Sequence, residues 1–177
     1  LKTKTGKAQI YAPEIAELAK TWTLDESEKN AITPLPLYVP GPDSADDVTE
    51  EYPFQILDFH HKCTTHSTYA HNPVVQKMAP FQAWINPLDA ERTGIADLDQ
   101  VRITTAQGSM ITQAKVTNRV MPGVIMHAQG AWHNAPAEGD RTDRGGCTNT
   151  LTSRQRNPIS KGTGQHSVIG RIEKVEE

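Results

Sequence analysis

His60-His61-Lys62-Cys63-Thr64-Thr65-His66-Ser67 places imidazoles, a thiol and hydroxyls in one short run. Three readings fit such a run. His60, Cys63 and His66 could ligate zinc, which needs three or four donors converging at about 2 Å. No paired motif elsewhere supplies the fourth donor, so no metal site is expected. The same side chains could instead line a ligand, donating to phosphate or heterocycle atoms. The plain alternative is a surface loop rich in histidine by chance. The run directly follows a buried-type strand, and ligand groups often gather where strands end.

A second cluster lies in residues 141–161, where Arg141, Arg144, Arg154, Arg156 and Lys161 accompany a single acid, Asp143. Arginine presents a planar fork matched to phosphate oxygens. On charge alone, a solvated loop with scattered charge is the simpler reading. Other chemistries find no frame. No nucleophile elbow surrounds any Ser or Cys. Gly145-Gly146 and Gly162-Thr163-Gly164 match neither a phosphate-binding Walker loop nor a dinucleotide-fold fingerprint. A net charge of −3 with 6% aromatic residues argues against nucleic acid as a partner.

The elements that must position these clusters are mostly short strands. Phe54–Phe59 reads as a buried strand, and Ala83–Ile85 as a second. Asn86 then reads as a helix N-cap, with Pro87 at the first helical position, Asp89 in the first turn and Gly94 as the stop. Val101–Thr105 and Met110–Val116 flank Ala-Gln-Gly-Ser, a hairpin turn with Gly108 available for positive φ. Val124–Ala128 follows the Pro122-Gly123 turn, and Val168–Val175 alternates to the end. Ala8–Tyr11 reads as a short strand and Pro13–Lys20 as a helix. Thr21–Glu51, with Pro34, Pro36, Pro40 and Pro42 and then an acidic run, reads as an extended surface arm. Several short strands spaced by turn signals, with few helices, imply a small β-barrel. Gln129–Ser167 has little periodicity and holds Trp132, His133, Cys147 and Asn149; a loop of that length suggests function.

At 177 residues the chain suits one domain with a core. Its 36% hydrophobic content, with 12 Pro and 12 Gly, favours a loop-rich, strand-dominated fold. Residues 1–100 carry a balance of −7 and residues 101–177 one of +4, so the basic charge gathers in the second part. Cys63 and Cys147 are too few for a disulfide framework or a cysteine-only iron–sulfur site and read as two unrelated thiols. No apolar run approaches the ~18 residues of a membrane span. Leu1–Lys7 is basic with no apolar stretch behind it, so it is no signal peptide, and the chain is expected to be a piece of a longer one.

Several ordered segments carry a resemblance. They are Pro53-Phe54-Gln55-Ile56-Leu57, His60 with His66-Ser67-Thr68-Tyr69, and Trp84-Ile85-Asn86-Pro87-Leu88-Asp89-Ala90. Ala114-Lys115-Val116-Thr117, Met121-Pro122-Gly123-Val124 and Gln129-Gly130-Ala131-Trp132 follow. Gly145-Gly146-Cys147-Thr148-Asn149-Thr150-Leu151-Thr152 and Lys161-Gly162 to His166-Ser167 complete the series, with Lys4-Thr5-Gly6-Lys7 to Ile10-Tyr11 upstream. In this order, Tyr52–Glu173 resembles the C-terminal domain of the molybdenum bis(molybdopterin guanine dinucleotide) oxidoreductases. Within that dimethyl sulfoxide reductase family it is most similar to the anaerobic dimethyl sulfoxide reductase type of catalytic subunit.

The resemblance implies a mainly β fold, a double-psi β-barrel with a few short helices over residues 52–177. Residues 1–51 would be a lead-in segment and a Pro-rich acidic arm. It implies that His60, His66, Ser67, Asn86, Asn149, Thr152, Gln165 and His166 face the cofactor, with Asn86 also explained by its cap. It implies a molybdenum oxidoreductase that reduces dimethyl sulfoxide or a related S- or N-oxide in anaerobic respiration, this fragment being inert alone. The metal ligand and the iron–sulfur cluster would lie in the missing N-terminal part, leaving no catalytic residue here. Implied partners are earlier domains of the same polypeptide, an iron–sulfur electron-transfer subunit and a membrane anchor subunit. The implied location is bacterial and membrane-associated through those subunits, facing the periplasm or cell exterior. Cys63-Thr64-Thr65 departs from relatives that place a basic residue there, with Lys62 as the available substitute. The competing expectations are a stand-alone, non-catalytic dinucleotide-binding small subunit and a structural barrel with no ligand.

Overall fold

Six strands arise where inward apolar and outward polar residues alternate: β1 (Phe54–Phe59), β2 (Gln82–Ile85), β3 (Gln100–Thr104), β4 (Ser109–Val116), β5 (Val124–Ala128) and β6 (Val168–Lys174). In this computed structural model they close into a barrel in the order β1-β5-β2-β4-β3-β6. The expected mainly β barrel with a few short helices is thus met. The structure describes every residue except Pro42, Ala137, Gln155, Gln165, Ser167 and Glu177, and omits the Ser27 side chain.

β1 runs parallel to β5 and β2 parallel to β4, while the other neighbouring pairs are antiparallel. The ends of β1, β3 and β5 therefore share one mouth of the barrel with the starts of β2, β4 and β6. Phe54, Ile85, Val101, Ile103, Met110 and Ile125 fill the interior, each 1% exposed or less. Burying side chains of this size stabilises the fold by roughly 1.5–3 kcal/mol each.

The mouth opposite β1's end is braced by α4 (Pro87–Thr93). Asn86 caps it by accepting from Leu88 N at 3.0 Å and donates to Val120 O at 2.8 Å. Gly94 ends it at φ 69°, a left-handed conformation that suits glycine. Buried Asp89 accepts from Gly123 N at 2.7 Å and from Arg92 at 2.9 Å, tying the helix to the Pro122-Gly123 turn.

The chain divides into two compact units, Pro42–Arg154 with Gly164–Glu177, and Leu1–Gly41 with Gln155–Thr163. The first is the barrel. The second holds α1 (Pro13–Thr21) and α2 (Glu26–Ala31), with Lys161 paired to Glu28 at 3.1 Å. The basic run of 141–161 is therefore split: Arg141, Arg144 and Arg154 belong to the barrel unit, Arg156 and Lys161 to the smaller one.

Four local expectations are corrected. Ala8–Tyr11 forms no strand; Ile10 and Tyr11 are exposed and find no ladder among the described residues. Thr21–Glu51 is not simply an extended arm. Asp25 and Glu28 form a capping box on α2, and a 3-10 turn, Ala45–Asp47, is capped by Ser44. Gly108 is not among the positive-φ glycines. What requires glycine there is close approach, because a Cβ would meet Thr150 O at 2.8 Å. Finally, α3 (Pro73–Met78), capped by Asn72, lies within the stretch between β1 and β2, for which no helix was expected.

Candidate functional site

The loops of the first mouth carry most of the chemistry-bearing residues. Residues 60–81 leave β1 as a turn held by an antiparallel bridge between Thr65 and Thr68. His66 occupies its tip at φ 50° and Tyr69 lies beyond at φ 68°. Non-glycine residues in this region are strained and persist only where surroundings hold them. Here the support is Gly130, at the end of β5. Its φ of 107° and missing side chain admit the His66 carbonyl, which a Cβ would approach to 2.0 Å. The His60 and His66 rings meet edge to face at 5.0 Å, and His71 meets exposed Trp132 at 6.5 Å.

Residues 142–151 fold over the barrel interior around a fully buried acid. Asp143 accepts from Asn134 N at 2.6 Å, Gly145 N at 3.1 Å and Cys147 N at 2.6 Å. Its backbone also pairs with Ile111 and Ser109 of β4. Gly146 lies against the His127 ring, 3.5 Å from where a Cβ would sit. The loop ends in a 3-10 turn, Thr148–Thr150, and the Thr152 hydroxyl donates to Asn149 O at 3.2 Å.

Beneath the loop lies a polar layer. Asp58 and His127 are Cα partners in the parallel β1–β5 pair, and both point inward. Burial pushes the Asp58 carboxyl up to about 6, against the lowering effects of the Thr148 hydroxyl and of the charges on His166 and His60. Burial pushes His127 down to about 4, and His61 pushes the same way; the Ala128 carbonyl and Asp143 pull it back up. Its ring nitrogens sit 3.2 Å from the Thr112 hydroxyl and 2.9 Å from Ala128 O. Burial also raises the Cys147 thiol.

Asp58 and His127 act on stability in opposite directions. Between about pH 4 and 6 folded Asp58 holds a proton that the unfolded chain has released, so stability falls as pH rises through that window. Between about pH 6.5 and 4 the unfolded chain binds a proton that folded His127 refuses, so stability falls as pH falls. Each shift corresponds to about 3 kcal/mol at full amplitude. In the wild type the two effects therefore oppose one another across this range. Urea unfolding of Asp58→Asn should show stability falling with acid, and of His127→Gln the reverse. Variant profiles parallel to wild type would contradict this.

The mouth brings together His60, His66, Ser67, Asn149, Thr152 and His166 among the expected site residues. All but Thr152 are exposed. No hydrogen bond to another described residue occupies the side chains of His60, His66, Ser67, Asn149 or His166. Gln165 lies outside the described residues. Asn86 is not brought in: it sits at the opposite mouth, both of its amide groups engaged. Both cysteines are free, as expected. Among the described residues no group of three or more His, Cys, Asp or Glu is placed to hold a metal ion.

Sequence reasoning missed Asp58, Gly130 and Asp143 as parts of this mouth. One signal was available: an acid at the third inward position of Phe54–Phe59, in register with Phe54 and Ile56.

Three comparisons bear on the site. The family model described as Molydopterin dinucleotide binding domain matches residues 54–169. The probable dimethyl sulfoxide reductase chain YnfF of Escherichia coli is 46% identical over 99% of this chain and 22% of its own length. Dimethyl sulfoxide reductase DmsA of the same organism is 42% identical over 99% and 21%. A trimethylamine-N-oxide reductase of Haemophilus influenzae is 29% identical over 98% and 21%. The chain thus spans only about a fifth of the curated relatives it matches. In fold it is similar to acetylene hydratase from Pelobacter acetylenicus, with a TM-score of 0.66 at 18% identity over 84% of this chain and 22% of that one. No helix among the described residues is long and apolar enough to cross a membrane.

Proposed function

The chain belongs to the Molydopterin dinucleotide binding domain family, and from that premise we propose that the His60–Asn149 mouth grips the dinucleotide cofactor of an S- or N-oxide reductase. The observation that carries this is the exposed set His60, His66, Ser67, Asn149 and His166 on one mouth, with side chains free to bond outward. The donor set fits the group. A pterin dinucleotide offers a pyrophosphate and heterocycle edges rich in donors and acceptors, which imidazole, amide and hydroxyl groups match in direction. Arg141, Arg144 and Arg154, exposed on the same unit, supply phosphate charge.

When bound as the bis(guanine dinucleotide) with molybdenum, the cofactor supplies oxygen-atom transfer. This chain's residues bind and orient it. His66, held at the tip of its turn by Gly130, and Asn149, held by the 142–151 loop, present polar groups from two sides. Thr152 steadies the Asn149 turn, and Asn86 braces the far mouth. Trp132, beside His71, adds an apolar edge. The catalytic atom and any iron–sulfur cluster would belong to other parts of the polypeptide. An iron–sulfur subunit and a membrane anchor would deliver electrons at the periplasmic or outer face of a bacterial membrane, as anaerobic respiration requires. The relatives named as dimethyl sulfoxide and trimethylamine-N-oxide reductases support this substrate class.

The test uses the full-length protein. His66→Ala and Asn149→Ala should each lower the pterin and molybdenum bound per polypeptide roughly ten-fold, in line with one or two lost polar contacts. Asn86→Ala, at the far mouth, should lower the melting temperature yet leave occupancy unchanged. Full occupancy in both mouth variants would refute the assignment.

A further inference from the structure

Asp58 has no part in that grip, yet it lies one residue before the end of β1, on the strand that opens onto the same mouth. It is 9% exposed, on the inward face of β1, and the Thr148 hydroxyl, in a residue 5% exposed, draws its pKa down against the effect of burial. No lysine or arginine pairs with it among the described residues. The charged or titratable groups about it are His60 and His166 on the mouth side and His127 beside it, with Asp143 and Cys147 in the covering loop. The His127 ring is engaged by Thr112 and the Ala128 carbonyl. A carboxylate offers acceptor positions for about four donors, and desolvating one is costly unless they are filled. One neutral hydroxyl leaves most of that capacity for N–H donors arriving from the mouth.

We propose that the Asp58 carboxylate accepts the 2-amino-4-oxopyrimidine edge of the bound cofactor, the ring edge that pterin and guanine share. This rests on the mouth being the cofactor site. That edge presents a ring N–H beside an exocyclic NH2, two parallel donors that meet the two oxygens of one carboxylate. A cytosine edge instead sets a ring acceptor beside its amine and would turn a lone pair toward one oxygen. Asp58 thereby favours the aminopyrimidinone over other heterocycles, a specificity role for a residue that would otherwise only weaken the barrel.

The experiment loads cofactor-free full-length protein with either the guanine dinucleotide cofactor or its nucleotide-free molybdopterin form. Retained pterin is read by fluorescence after release and oxidation. Asp58→Asn should weaken retention roughly ten- to a hundred-fold, the range of one lost bidentate contact, with no loss of apo-protein melting temperature. An equal loss for both forms assigns the contact to the pterin; a loss confined to the dinucleotide assigns it to guanine. Thr148→Val, which removes the hydroxyl but keeps the carboxylate, should retain cofactor within a few-fold of wild type. Wild-type retention by Asp58→Asn, with His66→Ala and Asn149→Ala still impaired, overturns this proposal and leaves the mouth assignment standing. Equal losses in Thr148→Val and Asp58→Asn also overturn it, because the acid would then act only by holding the loop. Wild-type retention in all the variants refutes the mouth assignment as well.

Discussion

Alanine at Gly130 is expected to destabilise the barrel unit by about 4 kcal/mol or more, a cost reached only by a severe backbone or packing conflict. Two effects combine. The φ of 107° is one that L side chains rarely adopt, and the added Cβ would lie 2.0 Å from the His66 carbonyl oxygen and 3.1 Å from Ser67 N. Neither neighbour is a flexible side-chain tip that can swing away. The turn bridged by Thr65 and Thr68 would have to lift, carrying His66 out of its positive-φ conformation. Gly139 is the internal control: its φ is 89°, but nothing lies within 4 Å of its Cβ position. Gly139→Ala should therefore cost only the backbone strain, roughly 1–2 kcal/mol. Urea unfolding of both variants separates the two contributions. Equal stabilities would show that the close approach of residues 66 and 130 contributes nothing.

Asp143→Ala should cost roughly 3–5 kcal/mol and loosen residues 132–151 as a unit. The carboxylate accepts from three backbone N–H groups, of Asn134, Gly145 and Cys147, at 2.6 to 3.1 Å. Removing it leaves these donors without their charged acceptor beneath a loop that covers the polar layer of the barrel. Asp143→Asn keeps the volume and one acceptor oxygen but loses the charge and adds two donors. It should fall between the wild type and the alanine variant. Amide exchange at Asn134, Gly145 and Cys147 reads the local effect. Unchanged protection at all three in Asp143→Ala would contradict this role.

The strands were legible because burial on one face leaves a period of two in the sequence. Phe54–Phe59 and Val124–Ala128 fall where alternation and turn residues put them. α4 was legible through Asn86 and Pro87, whose cap and first-turn preferences are local. α2 and α3 were not, because Glu26–Ala31 and Pro73–Met78 are one-and-a-half-turn segments without an apolar period, held by Asp25 and Asn72 at their starts. The site divides in the same way. His60, His66, Ser67, Asn149, Thr152 and His166 came from ordered motifs, and the fold gathers them because the ends of β1 and β5 share a mouth. Asn86 lay within a motif just as clear, yet strand direction sends it to the other mouth. Gly130, Asp143 and Asp58 depend on contacts between segments far apart in the chain: His66 over Gly130, Ile111 and Ser109 on the Asp143 backbone, His127 beside Asp58. Such pairs leave no periodic trace.

One mouth of the barrel is thus the proposed cofactor face. Hydrogen–deuterium exchange on the full-length protein, with and without its cofactor, tests it directly. Loading should slow exchange in residues 60–72 and 145–152 while residues 86–99 and 117–123, at the opposite mouth, stay unchanged. Protection confined to the second pair of segments, or no difference at the first, would contradict the account.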